Sequence, residues 1–270
     1  MTSHPFMPVR SGRYTRGFSL VELMIALVVG LVVSGAVLAF TLASMKSNSE
    51  YILSTRLTQE LRNSLDLVTR DLRRAGYDEN SLQYVATGNA TPFSRMQLCN
   101  DAGACNTVTA SPAATVLAAT PITCAIYAYD RSPSGNPGVV DLDNGEVRGM
   151  RLKQRNYKGR DIGVIEYAVS NGTLPTCGDA SPDYTTYPPA CTGAWCALSD
   201  PAKLDITALE FADNGTVVGT SPTQVQIRDL TVKMSGRIAG STDTATQIVS
   251  DVRIRSDCFD KTISNCALAP

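Results

Sequence analysis

Glu22 is the first residue that asks for a chemical explanation. It is the single charge in the run Phe18 to Ala43, which is otherwise almost wholly apolar. An acid at the centre of a bilayer costs about 2.5–3.5 kcal/mol, and such charges are functional by default. A second group is the cysteines, Cys99, Cys105, Cys124, Cys177, Cys191, Cys196, Cys258 and Cys266, all downstream of that run. An even number after a membrane-crossing segment points to disulfides made in an oxidising compartment. Zinc is the competing chemistry. No CxxC pair occurs and the one histidine, His4, precedes the run, so nothing completes a Cys/His site. Proximity alone suggests the pairs Cys99–Cys105, Cys191–Cys196 and Cys258–Cys266; the connectivity is otherwise open.

Three further constellations each have a functional and a structural reading. In VVDLDNGEVRG, Asp141, Asp143 and Glu146 are oxygen ligands of the kind calcium takes. A glycine at the fifth position and no distal glutamate depart from a calcium loop, and an Asn144-Gly145 turn between strands accounts for the segment better. In EVRGMRLKQRNYKGR, Arg151, Lys153 and Arg155 share one face if the segment is a strand. That face suits DNA, an acidic partner or anionic lipid, or else is the solvated side of an edge strand that discourages aggregation. Charge favours the second reading. The first seventeen residues carry Arg10, Arg13 and Arg16 and no acid, leaving 21 basic and 25 acidic residues, a net of −4. That balance speaks against nucleic acid as a partner. Trp195, between Cys191 and Cys196, is a binding anchor if exposed and a loop staple if buried; burial is the commoner fate of such a ring. Beyond residue 17 there is no histidine, no G-x-S-x-G elbow and no P-loop. The sequence therefore nominates no catalytic residue, no metal site and no cofactor.

The elements that must carry these residues follow from periodicity. Leu20 to Phe40 holds thirteen Leu, Val, Ile or Phe residues. At about −0.3 to −0.6 kcal/mol each they outweigh one acid near the edge of the membrane. The basic flank keeps the N-terminus cytoplasmic. The run is longer than the core of a cleaved secretory signal. Polar text starts near Ser47, but Leu53, Leu57, Leu61, Leu65, Val68 and Leu72 recur at helical spacing. One helix is expected from Phe18 to Ala75, with Arg70, Arg73 and Arg74 at its C-terminal end and Gly76 as the residue after it. Gly30 and Gly35 are points where it can soften.

Strand and turn signals follow. Ile162 to Val169 leads to Asn171-Gly172, and Ile206 to Phe211 leads to Asp213-Asn214-Gly215; both read as hairpins. A phase shift between Ile227 and Leu230 reads as a β-bulge, and Val252 and Ile254 as a last strand. The stretches Leu98 to Pro121 and Thr173 to Pro201 read as stapled loops.

Within RGFSLVELMIAL, the residues Gly17, Phe18 and Glu22 resemble the type IV prepilin signature: basic leader, glycine, phenylalanine, glutamate four residues on, apolar helix. Leu57 to Tyr77, LTQELRNSLDLVTRDLRRAGY, resembles the helix end of PilW-type minor pilins, and minor pseudopilins of type II secretion share the general pattern. The resemblance implies cleavage between Gly17 and Phe18 by prepilin peptidase, N-methylation of Phe18, and pairing of Glu22 with the Phe18 amine of a neighbouring subunit. Pairing within one chain is the alternative. It also implies the pilin fold: α+β, a long N-terminal helix packed on an antiparallel β-sheet with disulfide-stapled loops. The expected divisions are a leader, 1–17 (translation from Met7 would shorten it), an apolar helix, 18–45, its amphipathic continuation, 46–76, and a β-rich domain, 77–270. The implied function is a minor pilin that initiates assembly at or near the pilus tip. Its implied partners are other minor pilins, the major pilin, a tip-associated adhesin and the inner membrane. A type II secretion pseudopilin, a DNA-receptor pilin and a single-pass periplasmic protein that never polymerises are the rivals.

Overall fold

A computed structural model describes residues 17–106, 121–131, 138–185, 188–242, 245–268 and 270. Residues 1–16 of the expected leader, with Arg10, Arg13 and Arg16, and residues 107–120 of the first expected loop lie outside them. The chain divides between Ile52 and Leu53 into two units.

The first unit holds the apolar part of helix α1, which runs Leu20–Leu72. The helix is unbroken through Gly30 and Gly35, and a Cβ at either would meet nothing. Every residue of this part is exposed in the single chain.

The second unit opens with the amphipathic part of α1. Leu57, Leu61, Leu65, Val68 and Leu72 are buried. Each fully buried leucine contributes about 1.5–3 kcal/mol. Leu53, expected in the same stripe, is exposed, so the packed stripe starts one turn later. The helix ends at Leu72 rather than Ala75. Arg74 and Ala75 donate to the carbonyls of Asp71 and Leu72, three residues back, which tightens the chain into turns. Gly76 has the left-handed φ expected of it, +81°, but its N–H bonds to Ala128 at 2.8 Å instead of capping the helix. The end of the helix is thereby tied to a strand.

Among the described residues a short helix α2, Ser81–Thr87, precedes eleven strands. They are β1 (Met96–Asn100), β2 (Ile122–Ala128), β3 (Val147–Tyr157), β4 (Arg160–Val169), β5 (Trp195–Ala197), β6 (Leu204–Asp213), β7 (Thr216–Val218), β8 (Gln224–Ile227), β9 (Asp229–Ile238), β10 (Thr246–Arg253) and β11 (Cys258–Asp260). All pairings are antiparallel and make three sheets: β1-β2-β3-β4-β5, β10-β9-β6 and β11-β8-β7. The buried stripe of α1 packs with Leu98, Tyr127 and Ile165 of the first sheet and Leu209, Val232 and Met234 of the second. This is the helix-on-antiparallel-sheet arrangement of a type IV pilin-like α+β fold. The alternate residues Ile126, Val147, Ala168 and Trp195 form a separate cluster on the other face of the first sheet.

Several turns differ from the sequence reading. The β3–β4 hairpin turns on Lys158 and Gly159, both left-handed at φ 52° and 79°. Positive φ at both central residues is the two-residue turn that matches strand twist. Asn171-Gly172 instead opens the long loop to β5. Asp213-Asn214-Gly215 carries the chain from β6 to β7, which lie in different sheets. The phase shift at Arg228 is also a change of sheet, from β8 to β9, not a bulge; the register does shift in β6, between Ile206 and Ala208. β10 stops at Arg253, and β11 follows it.

Glycine permits the close approach of the first two sheets. A Cβ on Gly163 would lie 1.8 Å from the Ile206 carbonyl oxygen, and the Gly163 N–H donates to Asp205 Oδ1 at 2.9 Å. Gly163→Ala is expected to destabilise the fold by at least about 1–3 kcal/mol, the usual cost of overpacking. The check is the denaturation midpoint; an unchanged midpoint would mean that the sheets separate freely.

Candidate functional site

The site that the sequence singles out lies at the start of α1. Gly17, Phe18 and Ser19 precede the helix, and the Ser19 carbonyl accepts the Leu23 N–H at 3.1 Å. Phe18 is 82% exposed. Glu22 sits in the first helical turn, where an acid complements the unsatisfied N–H groups. No ion pair to Glu22 occurs among the described residues. Thr41, by contrast, is satisfied locally, its hydroxyl donating to the Val37 carbonyl at 2.8 Å. By length and composition α1 is able to cross a membrane. Glu22 is therefore the one charge that the apolar segment leaves unanswered.

Two family models match the chain. Residues 12–38 match the prokaryotic N-terminal methylation motif, and residues 50–254 match prepilin peptidase-dependent protein B. The chain belongs to the prepilin peptidase-dependent protein B family. No curated protein and no solved structure matches it. The two matches and the fold together make this chain a type IV pilin-like protein, with one helix among the described residues long and apolar enough to serve as a membrane anchor.

The remaining residues singled out in this family member fall into place as structure. All eight cysteines are joined: Cys99–Cys105, Cys191–Cys196 and Cys258–Cys266, the three short spans, and Cys124–Cys177 across 53 residues. By loop-closure entropy the long link contributes about 4 kcal/mol and a short one about 2. Asp141, Asp143 and Glu146 frame the Asn144-Gly145 turn. Glu146 is buried and accepts the N–H groups of Arg131 and Asp141, at 3.2 and 2.6 Å. Its oxygens are thus engaged by backbone. Among the described residues no group of three His, Cys, Asp or Glu is placed to hold a metal.

The basic face of Arg151, Lys153 and Arg155 needs correction. β3 is an interior strand between β2 and β4, and Arg151 is 0% exposed. It lies opposite Glu166, itself fully buried, with guanidinium to carboxylate at 2.7 Å. Its Nη1 donates to the carbonyls of Cys177 and Asp179 at 3.0 and 2.9 Å, and its plane lies 3.8 Å from the Trp195 ring centroid. Arg155 reaches the other oxygen of Glu166 at 3.5 Å, and Lys153 pairs with Asp101 at 3.1 Å. The three cations are thus partnered within the chain.

Burial lowers the pKa of Arg151, and Glu166 opposes that shift. Burial and the neighbouring Glu166 charge push the Tyr184 phenol far up, so it stays protonated and donates to Glu166 at 3.2 Å. Burial alone would raise the carboxyl of Asp179, but the hydroxyl and N–H of Thr176 and the Trp195 indole hold it below its ordinary value. Trp195, in β5, is buried beneath the loop as a staple.

Sequence reasoning passed over Glu166 and Arg228. Glu166 was legible only as an acid inside an apolar strand, since its partner lies across the hairpin. Arg228 is 3% exposed and bridges the carbonyls of Ser94 and Cys266 with Gln226. Burial draws its pKa down to about 10, leaving it charged at neutral pH, with Asp213 and Asp257 supporting the charge.

Proposed function

We propose that the chain is a minor subunit of a type IV pilus, of the PilW type. It enters the inner membrane as a single-pass prepilin, with a cytoplasmic leader and a periplasmic body. Prepilin peptidase cuts between Gly17 and Phe18, and Phe18 is N-methylated. The subunit then joins the pilus at or near its tip, with other minor pilins, the major pilin and a tip-associated adhesin as partners, and initiates assembly. The observation that carries this reading is Glu22, an unpaired acid in an exposed apolar helix, inside the residues that match the methylation motif. Cleavage creates an ammonium at Phe18, and methylation keeps its charge. In a bundle of packed helices an amine and an acid are best neutralised together. A minor pseudopilin of type II secretion is the second reading, since the motif and fold suit both machines.

The test is mass spectrometry of the mature N-terminus in membrane and sheared-pilus fractions. An N-methylated Phe18 peptide in both is expected. An intact leader, or a cut near Ala43, overturns the prepilin reading. A methylated peptide that never enters the pilus fraction overturns the pilus assignment and favours the pseudopilus.

A further inference from the structure

The second unit carries a cleft of about 770 Å³ whose walls bring together five arginines, Arg70, Arg73, Arg74, Arg131 and Arg255, with two acids, Asp78 and Asp130. That volume is in the range of ligand-binding clefts. Arg70, Arg73, Arg74 and Arg255 are exposed, and none has an ion pair among the described residues. The end of a helix favours cations in its last turn, which accounts for those on α1. It does not account for Arg131, which follows β2, or Arg255, which follows β10. A chain that is net acidic beyond its leader therefore concentrates positive charge in one concavity, where low-dielectric walls focus its field.

Two features decide the kind of anion. The arginines share the wall with two acids, Asp78, which is 6% exposed, and Asp130, which accepts the Glu79 N–H at 3.3 Å. Acids beside the arginines repel a compact ion of concentrated charge, whereas a peptide spaces its carboxylates along a chain and reaches the arginines separately. The second feature is apolar. Tyr77, in the cleft wall, is 58% exposed, and directly after Ser81, also in the wall, α2 exposes Leu82 and Val85 and buries nothing. Arginine and tyrosine beside an apolar shelf is the composition of a protein interface.

We propose that this cleft docks an acidic, partly apolar peptide segment of a protein partner, with the arginines taking its carboxylates and the exposed Tyr77, Leu82 and Val85 taking its apolar side chains. The inference goes beyond the pilin reading and does not require the subunit to be in a filament. It is tested on the full-length chain in detergent, by fluorescence anisotropy with a labelled peptide of alternating glutamate and leucine. The comparison probes are its lysine counterpart, a single-stranded oligonucleotide and vesicles containing phosphatidylglycerol. Salt-sensitive binding of the acidic peptide is expected, weakened about tenfold or more by Arg73→Glu with Arg255→Glu, and unchanged by Lys233→Glu on β9. The double variant must keep the parent melting temperature; if it does not, Arg255→Gln alone, with a several-fold loss expected, decides. No binding of the acidic peptide, equal binding by the lysine peptide, indifference to both arginine variants, or tighter binding of the oligonucleotide or vesicles overturns the proposal.

Discussion

Replacing Glu22 with alanine is expected to leave Phe18 processed and methylated but to remove the subunit from the sheared-pilus fraction by tenfold or more. On the proposed reading, cleavage and methylation take place at Gly17 and Phe18, and α1 retains its apolar length without Glu22. What is lost on that reading is the acceptor for a buried ammonium. Leaving one member of a buried ion pair unpartnered costs about 3–5 kcal/mol, and about 1.4 kcal/mol is a factor of ten in an equilibrium. Glu22→Asp, which keeps the charge on a shorter arm, is expected to recover part of the incorporation, and Glu22→Gln less. Quantitative immunoblots of membrane and pilus fractions measure this. Wild-type incorporation of Glu22→Ala would sink the charge-pair role, and a parallel loss of methylation would place Glu22 in processing instead.

Arg151→Ala is expected to destabilise the second unit by about 3–5 kcal/mol. Glu166 would stay buried, with Arg155, Ser181 and Tyr184 as its remaining partners. The loop behind Cys177 would lose the donors that hold its carbonyls, and Trp195 the cation on its ring. The disulfide Cys124–Cys177 tethers the same loop, and Cys124 is opposite Arg151 in the sheet, so loosening is expected to concentrate there. Denaturant unfolding measures the loss. Arg151→Met combined with Glu166→Met is expected to cost less than the sum of the two single changes, because neither charge is then left alone. A single-variant loss below about 1 kcal/mol would mean that the pair is solvated in practice.

The residues that act locally are legible in the amino-acid order alone. Gly17, Phe18 and Glu22 are read from their spacing in the chain by resemblance to the prepilin signature, and the apolar run from its length. The stripe from Leu57 to Leu72 is set by the helical period, which places those side chains on one face wherever the helix lies. The short cysteine spans belong to the same class, because few residues separate each pair.

Which strand lies beside which is a matter of tertiary packing, and there the local pattern falls short. Alternation put Arg151, Lys153 and Arg155 on one face, but solvent reaches that face only if no loop covers it. The Cys124–Cys177 link and the loop beyond it cover the Arg151 end. The turn signals at Asn171 and Asp213 marked real breaks, yet a turn fixes a change of direction and not the sheet that the next strand joins. Arg131 and Arg255 meet at the end of α1 because β2 and β10 end there, a convergence over more than a hundred residues of chain that no local pattern encodes. Short-range order follows from backbone geometry and side-chain period. Partnership between distant residues follows from which buried surfaces match, and that is determined only when the whole domain packs.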